Sequence, residues 1–134
     1  MTQHAGLNRF DLMAFVTVRD ADRARVFYRD VLGLRLLNEQ LPFALVFDAK
    51  GVVLRVAIDR ECSPARGTVL GWQVPDILAA VRDLAAAGVN LNRYSFLEQD
   101  ENGIWNSPSG SRVAWFKDPD GNVLSVSQHP DQFS

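Results

Sequence analysis

The stretch "FVTVRDADRARVFYRDVLGL", residues 15–34, decides the fold, because it holds a strand end, a helix start and a helix stop in one short segment. It continues "DLMAFVTV" (11–18), which is apolar and β-branched enough for a strand. Asp20 follows as a candidate helix N-cap. Ala24, Phe27, Tyr28 and Val31 then recur at i, i+3, i+4 and i+7, the spacing of an amphipathic helix, which Gly33 closes. Working outward, "LRLLNEQ" (34–40), "FALVFD" (43–48) and "VVLRVAID" (52–59) read as three further strands. Pro42 separates the first pair, and "DAKG" (48–51) turns the second.

The second half repeats the order. "VLGWQV" (69–74) is a strand and Asp76 is again a candidate cap. Ile77, Ala80, Val81 and Leu84 again have helical spacing, and Gly88 stops that helix. "LNRYSFLEQ" (91–99), "RVAWFKD" (112–118) and "NVLSVSQ" (122–128) supply three more strands. "DPDG" (118–121) is the counterpart of "DAKG"; in each turn the aspartate bonds backbone and the glycine takes a positive φ. The repeat is β-α-β-β-β, twice, and neither copy is long enough to bury both sheet faces alone. The expected fold is α+β, with one domain over 1–134. Module one covers about 8–58, a polar linker 59–67, and module two about 68–128. An insert, "QDENGIWNSPSG" (99–110), interrupts the second copy, and loops of this length commonly carry a function.

Composition narrows the function. With 47% hydrophobic and 22% charged residues the chain reads as an ordinary globular domain. Its formal net charge of −2 leaves no basic surface for nucleic acid. No apolar run approaches the ~20 residues that span a bilayer, and "MTQHAGLNRF" does not read as a signal peptide. One cysteine, Cys62, cannot form an internal disulfide, which fits a reducing cytoplasm.

"FVTVRDADRARVFYRDVLGL" and "WFKDPDGNVLSVSQ" (115–128) resemble the opening and closing motifs of the vicinal-oxygen-chelate superfamily. That group includes glyoxalases, extradiol dioxygenases, and fosfomycin and bleomycin resistance proteins. The resemblance covers nearly the whole chain and implies two modules whose sheets curl around one cleft, commonly in a homodimer. Metal-bearing members use a His or Gln early in each module's first strand and a Glu in each last strand. Aligned on Asp20 and Asp76, and on Gly51 and Gly121, those positions here are Met13, Val69, Arg55 and Ser125. None is a credible ligand, since Mn, Fe, Ni and Zn want imidazole or carboxylate, for zinc at about 2.0–2.2 Å. Arg55 would repel a divalent ion. A slip of one residue offers only Leu, Ala, Val and Thr, and the two histidines, His4 and His129, lie near the termini. The resemblance therefore implies the cleft without its metal, and no cofactor is expected.

If the ligand positions face the cleft, so do their i±2 neighbours. The expected lining is Met13, Phe15, Thr17, Val53, Arg55, Ala57, Val69, Gly71, Gln73, Val123, Ser125 and Ser127. From it, Phe15, Arg55, Gln73, Ser125 and Ser127, with Trp105 from the insert, form the candidate ligand-binding set. Arg55 holds an anionic oxygen of a ligand, or pairs with Glu98, Asp100 or Glu101, or is simply solvated. Trp105 stacks on a planar ligand, anchors its loop or makes a dimer contact. Trp115 reads as packing, although its strand phase is ambiguous. The expected function is a metal-free protein holding a planar or anionic small molecule. The alternatives are an enzyme using Arg55 and an insert carboxylate or non-standard metal ligands, and a dimeric scaffold.

Overall fold

The computed structural model describes residues 6–130; His4 lies outside the described residues. A short 3-10 turn, Gly6–Arg9, leads into β1 (Met13–Val18). Asp20, in extended backbone at φ −132°, then caps α1 (Ala21–Arg25) by accepting from the amides of Asp22 and Arg23 at 2.8 and 3.3 Å. The helix widens into a π turn over Val26–Val31, with the Leu32 amide bonded to the Phe27 carbonyl. Gly33 ends it at φ +77°. β2 (Arg35–Gln40), β3 (Ala44–Ala49) and β4 (Val52–Ile58) complete the first module.

The second module opens with β5 (Thr68–Gln73) and α2 (Ile77–Ala86), again capped by an aspartate, Asp76, whose Oδ1 accepts from the Ala79 amide at 3.2 Å. β7 (Arg112–Lys117) and β8 (Val123–Gln128) follow where the repeat places them. The remaining strand departs from expectation. Residues 91–99 form no strand beyond isolated bridges of Leu91 to Phe116 and of Gln99 to Trp105; the edge strand is instead β6 (Trp105–Asn106), inside the insert. The physical reason is local. The Gln99 side chain accepts from the Tyr94 amide and donates to the Asn92 and Gly103 carbonyls, which folds 92–103 back on itself.

Each module is a mixed sheet, ordered β1-β4-β3-β2 and β5-β8-β7-β6, with first and last strands parallel. The two sheets are separate and not closed, and no strand pairing among the described residues joins them. One core joins them instead. The faces expected to lie under the helices do so: Val16, Val18, Leu54, Val56, Leu124 and Val126 are buried with Phe27, Tyr28, Ile77 and Val81, while Trp72 and Val74 pack at its margin. Hydrogen bonds from the "DPDGN" turn, 118–122, also clasp the modules together. The Tyr28 hydroxyl donates to Asp118 Oδ2 at 2.7 Å and the Asn122 side chain donates to the Thr17 carbonyl at 2.8 Å. The Arg19 amide and an Arg23 guanidinium N–H donate to Asp120 Oδ2 and the Pro119 carbonyl. No helix is long and apolar enough to cross a membrane among the described residues.

Candidate functional site

Strand alternation leaves the sheet faces opposite the helices open. On β1, Val16 and Val18 are buried whereas Met13 and Phe15 are 47% and 59% exposed. Parallel pairing sets Phe15 beside Arg55, and antiparallel pairing continues that row through Val46 to Asn38. The row above runs Thr17, Ala57, Ala44, Gln40. Arg55 reaches across to this second row, donating from Nη1 to Gln40 Oε1 at 2.6 Å. Gln40 is neutral, and among the described residues no carboxylate stands within ion-pair distance of Arg55. Pairing with Glu98, Asp100 or Glu101 is therefore not what the structure has. Asp100 Oδ1 accepts from the amides of Asn102 and Ile104, and the backbone carbonyls of Asp100 and Glu101 accept from Arg93. The acidic run caps its own loop, with the Glu98 and Glu101 side chains at the surface.

In the second sheet, the register aligns Gly71, Ser125 and Trp115 in one row and Gln73, Ser127, Val113 and Trp105 in the next. This fixes the phase of Trp115: it shares the cleft face with Ser125. A Cβ on Gly71 would lie 2.7 Å from Ser125 Oγ, so glycine is what lets β5 pass this hydroxyl. Ser125 itself is only 8% exposed. Trp105 tilts onto Trp115 with ring centroids 6.0 Å apart, and Tyr94 meets Trp115 edge-on at 5.5 Å. Phe96, 79% exposed, extends the wall from Tyr94. Trp105 is thus one ring of an aromatic wall seated on an edge strand. Sequence reasoning missed Tyr94 and Phe96 and did not place Trp115. The i, i+2 spacing of 94 and 96 was the available signal, but it was absorbed into a strand that does not form.

A second polar feature stands at the end of β8. His129 Nε2 lies 2.8 Å from Ser127 Oγ, and its Nδ1 lies 2.7 Å from the hydroxyl of buried Ser111. Cys62 sits in the linker, half-buried; desolvation, and then Asp120 and Asp59, push its thiol pKa up, which is the wrong direction for a nucleophilic thiolate.

The positions where the resemblance puts metal ligands lie on these same strands. Met13 precedes the Phe15–Arg55 pair by two residues on β1, and Val69 precedes the Gly71–Ser125 pair by two on β5. The modules differ at these positions. Met13 pairs with Val53 in regular register, whereas Val69 falls where β5 slips against β8 between Thr68 and Leu70 and packs against the core. Val69 is therefore not the cleft-lining residue expected from strand alternation. The four side chains are a thioether, a guanidinium, an isopropyl and a buried hydroxyl. They do not fit a divalent transition metal. Among the described residues no group of three His, Cys, Asp or Glu side chains is placed to hold one.

Comparison with known proteins agrees with this architecture. The Glyoxalase/Bleomycin resistance protein/Dioxygenase superfamily profile matches residues 6–126. Similar solved structures include lactoylglutathione lyase from Agrobacterium tumefaciens, with TM-score 0.68 at 20% identity over 87% of this chain and 92% of that one. A glyoxalase/bleomycin resistance protein/dioxygenase from Alicyclobacillus acidocaldarius gives 0.66 at 21% identity over 92% and 94%. TioX from Micromonospora sp. ML1 gives 0.66 at 21% identity over 90% and 99%. At these identities the likeness is one of fold. No curated protein matches the sequence significantly.

Proposed function

The chain belongs to the Glyoxalase/Bleomycin resistance protein/Dioxygenase superfamily, and we infer that within it this protein is a metal-free binder of a planar, anionic organic molecule. The observation that carries this reading is the aromatic wall on the cleft face of the second sheet: Trp115 in ring contact with both Trp105 and Tyr94, beside Ser125 and Ser127. Rings held by one another lose little freedom when a flat ligand stacks on them, and two hydroxyls nearby fix its orientation. Arg55, bonded among the described residues only to a neutral amide, supplies the attraction for an anionic oxygen. Gln73 shares the Ser127 row and adds one further polar group. Phe15 lies open beside Arg55 and offers a second apolar contact. The open apolar faces also favour a homodimer, in which a second copy covers Phe15 and Met13 and closes the cleft. A cytoplasmic location accords with the single thiol.

Titration with a panel of planar aromatic carboxylates and sulfonates, followed by tryptophan fluorescence with a chelator present, tests the reading. Saturable quenching is expected. Trp115→Ala abolishes it, and Arg55→Met weakens anionic ligands by roughly 10- to 100-fold while sparing neutral ones. Binding that needs an added divalent ion, or that ignores both substitutions, overturns the reading.

A further inference from the structure

Ser127 faces the ligand, but the hydrogen-bonded chain that runs from it through His129 to Ser111 goes beyond what orienting a stacked ligand uses. Both ring nitrogens of His129 are engaged by serine hydroxyls, at 2.8 Å on Nε2 and 2.7 Å on Nδ1. Ser127 and His129 are two residues apart along β8 and its extension, which puts both side chains on the cleft face. Exposure grades as a nucleophile, a base and an orienting group require. Ser127 and His129 are half-buried and reachable, whereas Ser111 is 6% exposed. With the ring proton on Nδ1, the Nδ1–H donates to Ser111 Oγ and Nε2 accepts from the Ser127 hydroxyl. This is the logic of an activated serine, with a neutral hydroxyl in the orienting place that an acid usually takes.

We propose that this array is a nucleophilic centre for acyl transfer, with an activated ester of an aromatic acid as its substrate class. The choice of an aromatic acyl group rests on the ligand-holding reading, since Trp105 lies in the Ser127 row and Trp115 in the next. Ser127 Oγ attacks the ester carbonyl as its proton passes to Nε2. The tetrahedral centre collapses, the bond to the leaving oxygen breaks, and His129 returns the proton to that oxygen. Water then attacks the acyl-serine by the same route, releasing the acid and restoring the hydroxyl. β8 is paired on both sides, by β5 and β7, so its backbone amides are committed to the sheet. The side-chain amide of Gln73, the Cα partner of Ser127, is the donor that the register offers to the developing oxyanion.

The test uses the full chain and p-nitrophenyl benzoate. Release of nitrophenolate is followed together with intact mass, and the adduct is mapped by peptide sequencing. One benzoyl group per chain on Ser127 is expected, with none on Ser127→Ala. His129→Ala slows acylation by about 100-fold or more, and added imidazole restores part of the rate, which a structural role does not explain. Ser111→Ala slows it and Ser111→Thr restores it, as expected of a positioning hydroxyl. The proposal is overturned if the wild-type chain gives neither an adduct nor nitrophenolate release above the uncatalysed rate, or if either one persists in Ser127→Ala. Titration with the unreactive benzanilide separates the two readings. Fluorescence quenching without acylation sinks only the serine centre; loss of both sinks the ligand-holding reading as well.

Discussion

Tyr28 shows how a single side chain holds the two modules together. It is fully buried, edge-on to Phe27, and its hydroxyl donates to Asp118 from the other module. Burial first, and then the Asp118 charge, push its phenol pKa far above the ordinary value of 10.0. The folded state therefore keeps a proton that the unfolded chain gives up above about pH 10. This contribution to stability is fully present below that pH and declines as pH rises above it. Tyr28→Phe is expected to cost about 1 kcal/mol at neutral pH and to flatten the alkaline loss, as read from urea midpoints measured across pH 7 to about 11. An unchanged alkaline slope in the variant would assign the loss to other groups. Arg55 poses the opposite problem, a fixed cation on an open face with an amide for its partner. Its place on the cleft face was legible from the period of two. Its partner was not, because Gln40 reaches it across β3 from β2, a relation that only the register reveals.

At the scale of elements, the repeat was legible wherever chemistry recurs: aspartate cap, apolar helix spacing, glycine stop and Asp-Gly turn. Asp20 and Asp76 cap as expected, and Gly33, Gly51, Gly88 and Gly121 all have positive φ. Residues 91–99 misled because "YSFL" carries aromatic and apolar residues at strand-like spacing, while the competing signal was one glutamine side chain, Gln99, bonding three backbone groups. Trp115 was ambiguous because tryptophan suits either face of a half-buried strand; pairing with Ser125 decides it. The two turns also differ in a way that sequence alone hides. Asp48 Oδ1 accepts one amide, from Gly51, at 2.9 Å. Asp118 is 5% exposed and accepts from the Asp120 and Asn122 amides, the Asn122 side chain and Tyr28. Asp118→Ala strands several buried donors and is expected to cost about 3 kcal/mol or more, against about 1 kcal/mol for Asp48→Ala. Denaturant midpoints of the two variants measure the difference, and equal losses would deny the second turn its clasping role.

At the scale of the molecule, the two four-stranded sheets share one core but no strand pairing among the described residues, which is the expected α+β pair of modules with open rather than closed sheets. The family fold survives this because the helices and the 118–122 turn, rather than strand pairing, join the modules. What the sequence does not carry over is the set of ligand residues that the resemblance implies. Met13, Arg55, Val69 and Ser125 stand where the resemblance puts the ligands, and on the second sheet aromatic rings gather beside Ser125. Closure of these faces by a second copy is expected to appear as a dimer mass in light scattering, with Phe15→Glu shifting the chain toward monomer; a monomeric wild type would contradict it. Metal content bears on the central claim most directly, measured by inductively coupled plasma mass spectrometry on protein purified without chelator or histidine tag. Mn, Fe, Ni and Zn together far below one equivalent per chain is the expected result. One tightly held equivalent of any of them would contradict a metal-free cleft and put the enzyme reading ahead of the binding one.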